Sequence, residues 1–333
     1  MELVGKNVLV TGGAGFVGSH IVDELLSAGA ARVVIIDNLV RGRRENLDHA
    51  TASGRVRLVH GDMRDRALLN GFVQSADLVF HQAALRITHC AADPREAFEV
   101  MARATFDLIE MCVSHRVQKL VMASSASIYG LAQRFPTPES EAPYADRTLY
   151  GAAKLFAEGM LRAFNDMHGL DYVALRYFNV YGPRMDCHGK YTEVLIRWME
   201  RIAAGERPLV FGDGSETLDM IHVRDVARAN IAAAVAPVTD VAFNIASGQE
   251  ISLYSLAMRL AATMGREDLV PELRPRRSVN PVPRRLADVT SALLHLGFKP
   301  AIDITDGLRD LVAWWQAERR RGAARAPEEA RAI

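Results

Sequence analysis

Cysteine is scarce in this chain. Three residues, Cys90, Cys112 and Cys187, are scattered over 333 positions. An odd number at wide spacing fits neither a disulfide framework nor a zinc-ligand pattern, so no metal is expected and a reducing, cytoplasmic setting is. Net charge is equally lacking, because 40 Lys+Arg balance 40 Asp+Glu. That balance gives no electrostatic case for nucleic acid or an anionic membrane as a partner. No apolar run approaches the roughly 18 residues that span a bilayer. Met1 leads straight into an apolar strand, with no basic segment and long apolar stretch before it. Internal repeats and a flexible linker are absent as well. What remains is 49% hydrophobic and 24% charged, the composition of an ordinary folded protein of one or two domains.

The informative residues begin near the N-terminus. Lys6 to Thr11 is a short β-rich run that reads as a buried parallel strand. Gly12-x-x-Gly15-x-x-Gly18 follows, then a helical pattern through Ile21, Leu25 and Leu26 that stops at Gly29, then a second strand from Ala31 to Asp37. Strand, glycine turn, helix and strand-end acid together predict a dinucleotide site. The glycines permit a tight turn and let the backbone approach a pyrophosphate, which sits on the helix N-terminus where Phe16 and Val17 begin it. Asp37 would accept ribose hydroxyls and repel a 2′-phosphate, so NAD is expected. Arg41, Arg43 and Arg44 leave NADP as the minor alternative.

Further strands are expected at 56–60, ending in Gly61-Asp62-Met63, and at 78–80, running on through His81-Gln82-Ala83-Ala84. Two more fall at 121–123, delivering Ser124 and Ser125, and at 171–177. Gly12, Asp37, Asp62, Ala83 and Ser125 all fall at carboxyl ends of strands, where open α/β sheets bind ligands. Helices are expected at 94–115 and 150–168. Tyr150 and Lys154 lie one turn apart on the second, and an ammonium there favours the phenolate and makes a usable base. Beyond Tyr177 the alternation loosens, with helices at 191–204, 252–264, 290–296 and 305–317 and one running from Ile221-His222-Val223 to Ala236. Strands are expected at 208–211 and 241–245, and 270–287 reads as Pro/Arg-rich and irregular. The fold class is α/β: a Rossmann doubly wound parallel sheet with a smaller C-terminal α/β lobe. Expected boundaries are 1–180 for the NAD-binding part, with 221–247 returning to it, 181–318 for the second lobe and 319–333 for a disordered tail.

Taken together, these motifs resemble the extended short-chain dehydrogenase/reductase superfamily, and within it the nucleotide-sugar epimerase/dehydratase family. The resemblance rests on Thr11 to Gly18, Asp37-Asn38, Gly61-Asp62, Ser124 to Gly130, Tyr150-x-x-x-Lys154 and Arg176 to Pro183. It implies that Tyr150 exchanges a proton with a sugar hydroxyl while hydride passes to NAD. Lys154 lowers the Tyr150 pKa and holds the nicotinamide ribose, and Ser125 bonds the reacting oxygen. Asn38, Asp62, Met63, Ala83, Ala84 and Tyr177 join the cofactor contacts. Ser127 and Asn179 meet the substrate, Phe211 lies in the strand beside the base, and Arg284 and Arg277 face the pyrophosphate. His81 is expected to line the cofactor pocket without chemistry and His222 to pack at a strand end.

Family 4,6-dehydratases carry an Asp-Glu pair where this chain has Ala126-Ser127. The resemblance therefore implies a UDP-sugar 4-epimerase acting on glucose/galactose or their N-acetylamino forms through a 4-keto sugar. A dehydratase, an epimerase at another carbon, a 4-keto reductase and a non-catalytic NAD sensor are the alternatives. Three residues depart from the family pattern: Met101 replaces an Asn, Leu218 an Arg, and Met185-Asp186 after Arg184 argue against a uronic acid. A homodimer through a four-helix bundle of the 94–115 and 150–168 helices is also implied. Met101, Leu108, Met111 and Met160 could serve that face or the core.

Overall fold

The computed structural model describes residues 2–188, 193–276 and 282–329. The strands are β1 (Asn7–Thr11), β2 (Arg32–Asp37), β3 (Val56–His60), β4 (Leu78–His81), β5 (Lys119–Ser125) and β6 (Tyr172–Tyr177). They continue with β7 (Asn179–Tyr181), β8 (Leu209–Phe211), β9 (Thr217–His222), β10 (Val241–Ile245), β11 (Glu250–Ser252) and β12 (Glu272–Arg274). The helices begin with α1 (Phe16–Ser27), α2 (Asp48–Thr51), α3 (Arg66–Val73), α4 (Ile87–Ala92), α5 (Pro94–Phe98) and α6 (Ala104–Ser114). They end with α7 (Leu149–His168), α8 (Val194–Ala203), α9 (Val223–Val235), α10 (Leu253–Thr263), α11 (Thr290–Leu296) and α12 (Ile304–Glu329).

Seven strands pair in the order β10-β6-β5-β4-β1-β2-β3, and every pairing is parallel. Such a sheet is covered on both faces, which explains why its central strands are continuous apolar runs. Alternation divides them between two cores. Val8 and Val10 of β1 point to one face, among Ile21 and Leu25 of α1 and Val226 and Ala233 of α9. Leu9 points to the other, among Leu108 of α6 and Leu161 of α7. The order reverses at β1 and β4, the switch point beside which doubly wound sheets open a crevice. A three-stranded sheet (β11-β9-β7) and a β12-β8 pair make up the second layer. Its core joins Trp198 of α8, Leu256 and Leu260 of α10, and Leu308, Leu311 and Trp315 of α12.

Several elements differ from expectation. The single helix at 94–115 is α5, a π-helical turn at Glu99–Arg103, and α6. A π turn inserts an extra residue, and here it carries the buried Met101, whose Sδ accepts the Leu85 N–H at 3.1 Å. The stretch at 270–287 holds β12, too short and too arginine-rich to show as a pattern. The last helix continues to Glu329, past both the end expected near Ala317 and the expected start of a disordered tail at 319. Ala, Arg and Glu favour helix as readily as they lower hydrophobicity. Met101, Leu108 and Met111 are core residues. No helix among the described residues is long and apolar enough to cross a membrane.

Two buried histidines make the fold sensitive to acid. His81 bridges the hydroxyls of Thr11 (Nδ1, 2.7 Å) and Thr105 (Nε2, 3.1 Å), so it lies beneath the cofactor crevice and does not line it. His20 bonds the Pro183 carbonyl at 3.1 Å. Burial pushes both down to about 3, with the Lys154 charge adding to the effect on His81 and that of Arg184 to the effect on His20. Their unfolded counterparts bind protons near 6.5, so stability is full above that pH and drains away as pH falls from about 6.5 to about 3. The expected slope is up to about 1.4 kcal/mol per pH unit per histidine. Urea unfolding at pH 7 and pH 5 measures it, and His81→Asn should flatten the curve.

Candidate active site

A cleft of about 700 Å³ runs along the carboxyl ends of β1, β2, β4 and β5. The turn after β1 forms its floor. Gly12 has φ +70°, and a β-carbon there would stand 2.7 Å from the Ala83 nitrogen across the switch point. A β-carbon on Gly18 would stand 2.3 Å from the Gly12 carbonyl oxygen. Gly15 begins α1 with no side chain capping its first amides, which leaves the helix N-terminus open to an anion.

Asp37 ends β2 buried, accepting the N–H groups of Ala14 (3.0 Å) and Leu39 (2.9 Å), and its carboxylate lines the cleft. Burial pushes its carboxyl up, opposed by those two bonds. Asp62 is held by the Arg64 fork at 2.9 and 2.6 Å and by Asn38 at 3.3 Å. The Arg64 bonds bring its carboxyl down to about 2. Phe16, Val17, Met63, Ala83, Ala84 and Tyr177 also line the cleft. The Tyr177 hydroxyl is fixed by Asn230 and Gln82.

The expected Ser125, Tyr150 and Lys154 come together where β5 meets α7. Ser125 ends β5, its Oγ accepting the Ser127 N–H at 3.1 Å. The Tyr150 phenol, from the first turn of α7, adjoins Ser125, whose side chain favours its ionised form. Thr148 starts that helix by accepting the Gly151 N–H at 3.0 Å. Lys154 lies in the expected place one turn on, but its ammonium donates to the Ala123 carbonyl at 2.6 Å and stands 5.9 Å from the Tyr150 ring centre. The protein alone does not produce the expected depression of Tyr150. Burial pushes the phenol up, with the Ser125 bond opposing, and burial brings Lys154 down to about 8.

Behind these residues is a buried network. Glu158, one turn beyond Lys154, accepts the Ser124 hydroxyl and the Arg176 guanidinium at 3.0 and 2.6 Å. Arg176 also reaches the Tyr129 hydroxyl at 2.8 Å, which donates to Asn244 at 2.7 Å.

The substrate positions divide. Ser127 and Asn179 line the cleft, and the buried Oδ1 of Asn179 has no protein partner among the described residues. Phe211 does not line it. Arg284 does not line it either; its guanidinium is paired with Glu250 at 2.7 Å and lies over Phe135. Arg277 lies outside the described residues. Leu218 lines the cleft, while its neighbour Asp219 is buried and accepts the N–H groups of Ser247, Gly248 and Ala287. His222 is buried, capping α9 and packing edge-on against Tyr181.

Sequence reasoning missed an ion-pair group across the cleft mouth, where Arg86 meets Asp186 (3.3 Å) and Glu193 (3.7 Å) and Arg41 lies 3.8 Å from Asp186. It also missed Arg285, whose Nη1 donates to the Ala126 carbonyl at 3.0 Å. Only alternation along an extended segment, sending neighbours to opposite sides, could have separated Arg285 from Arg284.

A dinucleotide turn at the switch point, with a Ser–Tyr–Lys group at the ends of β5 and α7, defines a nicotinamide-dependent enzyme of the short-chain dehydrogenase/reductase type. A model of the NAD dependent epimerase/dehydratase family matches residues 8–246, and the chain belongs to that family. It is 34% identical over 311 residues to a UDP-glucose 4-epimerase of Mycolicibacterium smegmatis, covering 92% of this chain and 98% of the relative. A dTDP-glucose 4,6-dehydratase of an Actinoplanes species is 31% identical over 327 residues, covering 94% and 98%. Among solved structures, the UDP-N-acetylglucosamine 4-epimerase of Methanobrevibacter ruminantium M1, in complex with UDP-N-acetylmuramic acid, superposes with a TM-score of 0.89 at 34% identity. That match covers 95% of this chain and 99% of the other.

The cofactor is NAD, and the glycine turn, the open helix N-terminus and Asp37 suit it. Gly18→Ala should abolish NAD binding, because the new methyl would meet the Gly12 carbonyl. Fluorescence titration with NADH checks this, and circular dichroism should show the fold retained.

Proposed function

We propose that the protein inverts C4 of a UDP-hexose, of the glucose/galactose or N-acetylamino type, through a transient 4-keto sugar. The observation that carries this reading is the composition of the β5 end. Ser125 and Tyr150 line the cleft together there, and Ala126-Ser127 place no carboxylate beside them. Elimination of water across C5–C6 needs an additional acid and base, whereas oxidation and reduction at C4 need only one proton carrier. NAD, when bound, supplies the hydride acceptor. Tyr150 takes the C4 hydroxyl proton as the C4 hydrogen leaves as hydride, and gives the proton back as that hydride returns to the opposite face of C4 once the ring has turned. Ser125 holds the reacting oxygen. Lys154, one helical turn from Tyr150, is assigned to the nicotinamide ribose and to favouring the phenolate once cofactor and substrate are bound. Asn179, with its unpartnered amide oxygen, and Ser127 are assigned to the substrate.

The experiment is incubation of the NAD-loaded protein with UDP-sugars, read by NMR for C4 configuration and by mass spectrometry. The expected product has unchanged mass and inverted C4. Loss of one water would make the protein a dehydratase, as the Actinoplanes relative is named. Tyr150→Phe should lower turnover at least about a hundredfold, the usual contribution of a positioned acid/base, while sparing NAD binding.

A homodimer built through the 94–115 segment (α5 to α6) and α7 is part of the same reading. The exposed side chains of Phe98 on α5 and Phe156 on α7 support it. Analytical ultracentrifugation should give twice the 36.6 kDa chain mass.

A further inference from the structure

We infer that Ser124 is a positioning residue: the buried Glu158–Arg176 ion pair holds its hydroxyl, and that hold fixes the last residues of β5, on which Ser125 and the Lys154 ammonium depend for their places beside Tyr150. This rests on the C4 chemistry proposed above. The need for such a hold follows from the sheet. β4 pairs with β5 only as far as Met122, opposite His81. Ala123, Ser124 and Ser125 run on past that point, paired on one side alone with Leu175, Arg176 and Tyr177 of β6. A strand end that projects in this way borders the cleft, and it has half of a ladder to hold it. Two side chains of α7 supply what the ladder lacks. The Ala123 carbonyl accepts the Lys154 ammonium at 2.6 Å. The Ser124 hydroxyl, on a side chain buried with Met122 on the α7 face, donates to Glu158.

Ser124 stands directly opposite Arg176 across the β5–β6 register, and both bond Glu158. The ion pair is complete without the serine. Arg176 donates to both Glu158 oxygens at 3.0 and 2.6 Å, and its Nη1 reaches the Tyr129 hydroxyl and the Glu139 carbonyl, each at 2.8 Å. A bidentate pair secured in this way keeps its own place, so the bond to Ser124 acts on the strand. Ser124 lies between the carbonyl that receives Lys154 and the Ser125 side chain that favours ionised Tyr150. Movement of its backbone displaces both groups together, and a displacement of about 1 Å costs on the order of a hundredfold in rate.

The test is Ser124→Ala in the full, NAD-loaded protein, with Ser124→Cys, of similar size but a weaker donor, beside it. Turnover of UDP-glucose and UDP-N-acetylglucosamine, followed by NMR, should fall at least about tenfold in the alanine variant. KM for the sugar, NADH affinity and the urea midpoint should stay close to those of the parent protein. Hydrogen exchange read by mass spectrometry should quicken only in the peptide around residues 123–128. The cysteine variant should fall between, and it decides the matter if the alanine variant does not fold. Unchanged kcat overturns the inference. So does a parallel loss of turnover, NADH affinity and urea midpoint, which would make Ser124 a packing residue alone. If the parent protein turns over neither sugar, the C4 reading fails by itself and hydrogen exchange decides this inference: quickening confined to residues 123–128 supports it, and unchanged exchange removes it.

Discussion

The attachment of α7 to the carboxyl end of β5 is the constraint on which the reacting end depends. Three consecutive residues of that strand face α7, and two of them are bonded to it. Ala123 receives the Lys154 ammonium, Ser124 donates to Glu158, and Ser125 meets Tyr150. Tyr150, Lys154 and Glu158 recur every fourth residue, so one helix face grips one strand end. Arg176 on the neighbouring strand β6 fills both oxygens of Glu158 and ties the grip into the sheet. Breaking a buried pair of this kind leaves an uncompensated charge, at a cost of about 3–5 kcal/mol. Geometry at the site is thus coupled to the stability of the core behind it.

The same grip explains the electrostatics. Burial brings the Lys154 pKa down, and its ammonium donates to the Ala123 carbonyl, so it does little for Tyr150 in the protein alone. Glu158, one turn away, works in the other direction by favouring the charged lysine. Burial holds the Tyr150 phenol above its ordinary range, opposed by the Ser125 side chain.

At the other end of the cleft, steric limits take the place of charge. Gly12 and Gly18 leave no room for a β-carbon, one because of strand β4 and the other because of the turn itself. These limits bring the backbone amides and the α1 N-terminus up to the crevice. Asp37, braced by two backbone N–H groups, closes it. The second layer brings Asn179, Leu218 and Met220 over the reacting end. The ion pairs from Arg41 and Arg86 to Asp186 and Glu193 join the two layers across the mouth.

Much of this could be read along the chain, for a physical reason. Period-two and period-3.6 patterns, the glycine turn and the Tyr150–Lys154 spacing are local, and local geometry follows from local residues. The parallel sheet, the cofactor turn, Asp37 and the Ser125–Tyr150–Lys154 group were therefore legible. Properties that depend on which segments meet were not. The π turn at Met101 answers to Leu85, and the continuation of α12 to Glu329 shows a composition that fits helix and coil equally. The choice between Arg284 and Arg285 depends on pairing between residues about 70 positions apart, since Thr217 and Asp219 fix the segment that carries them. By itself, the sequence determined the family of chemistry, because motif residues carry it within single turns of chain. Only the tertiary structure decided which cations and carboxylates line the cleft, because desolvation and hydrogen-bond geometry arise where distant segments close upon one another.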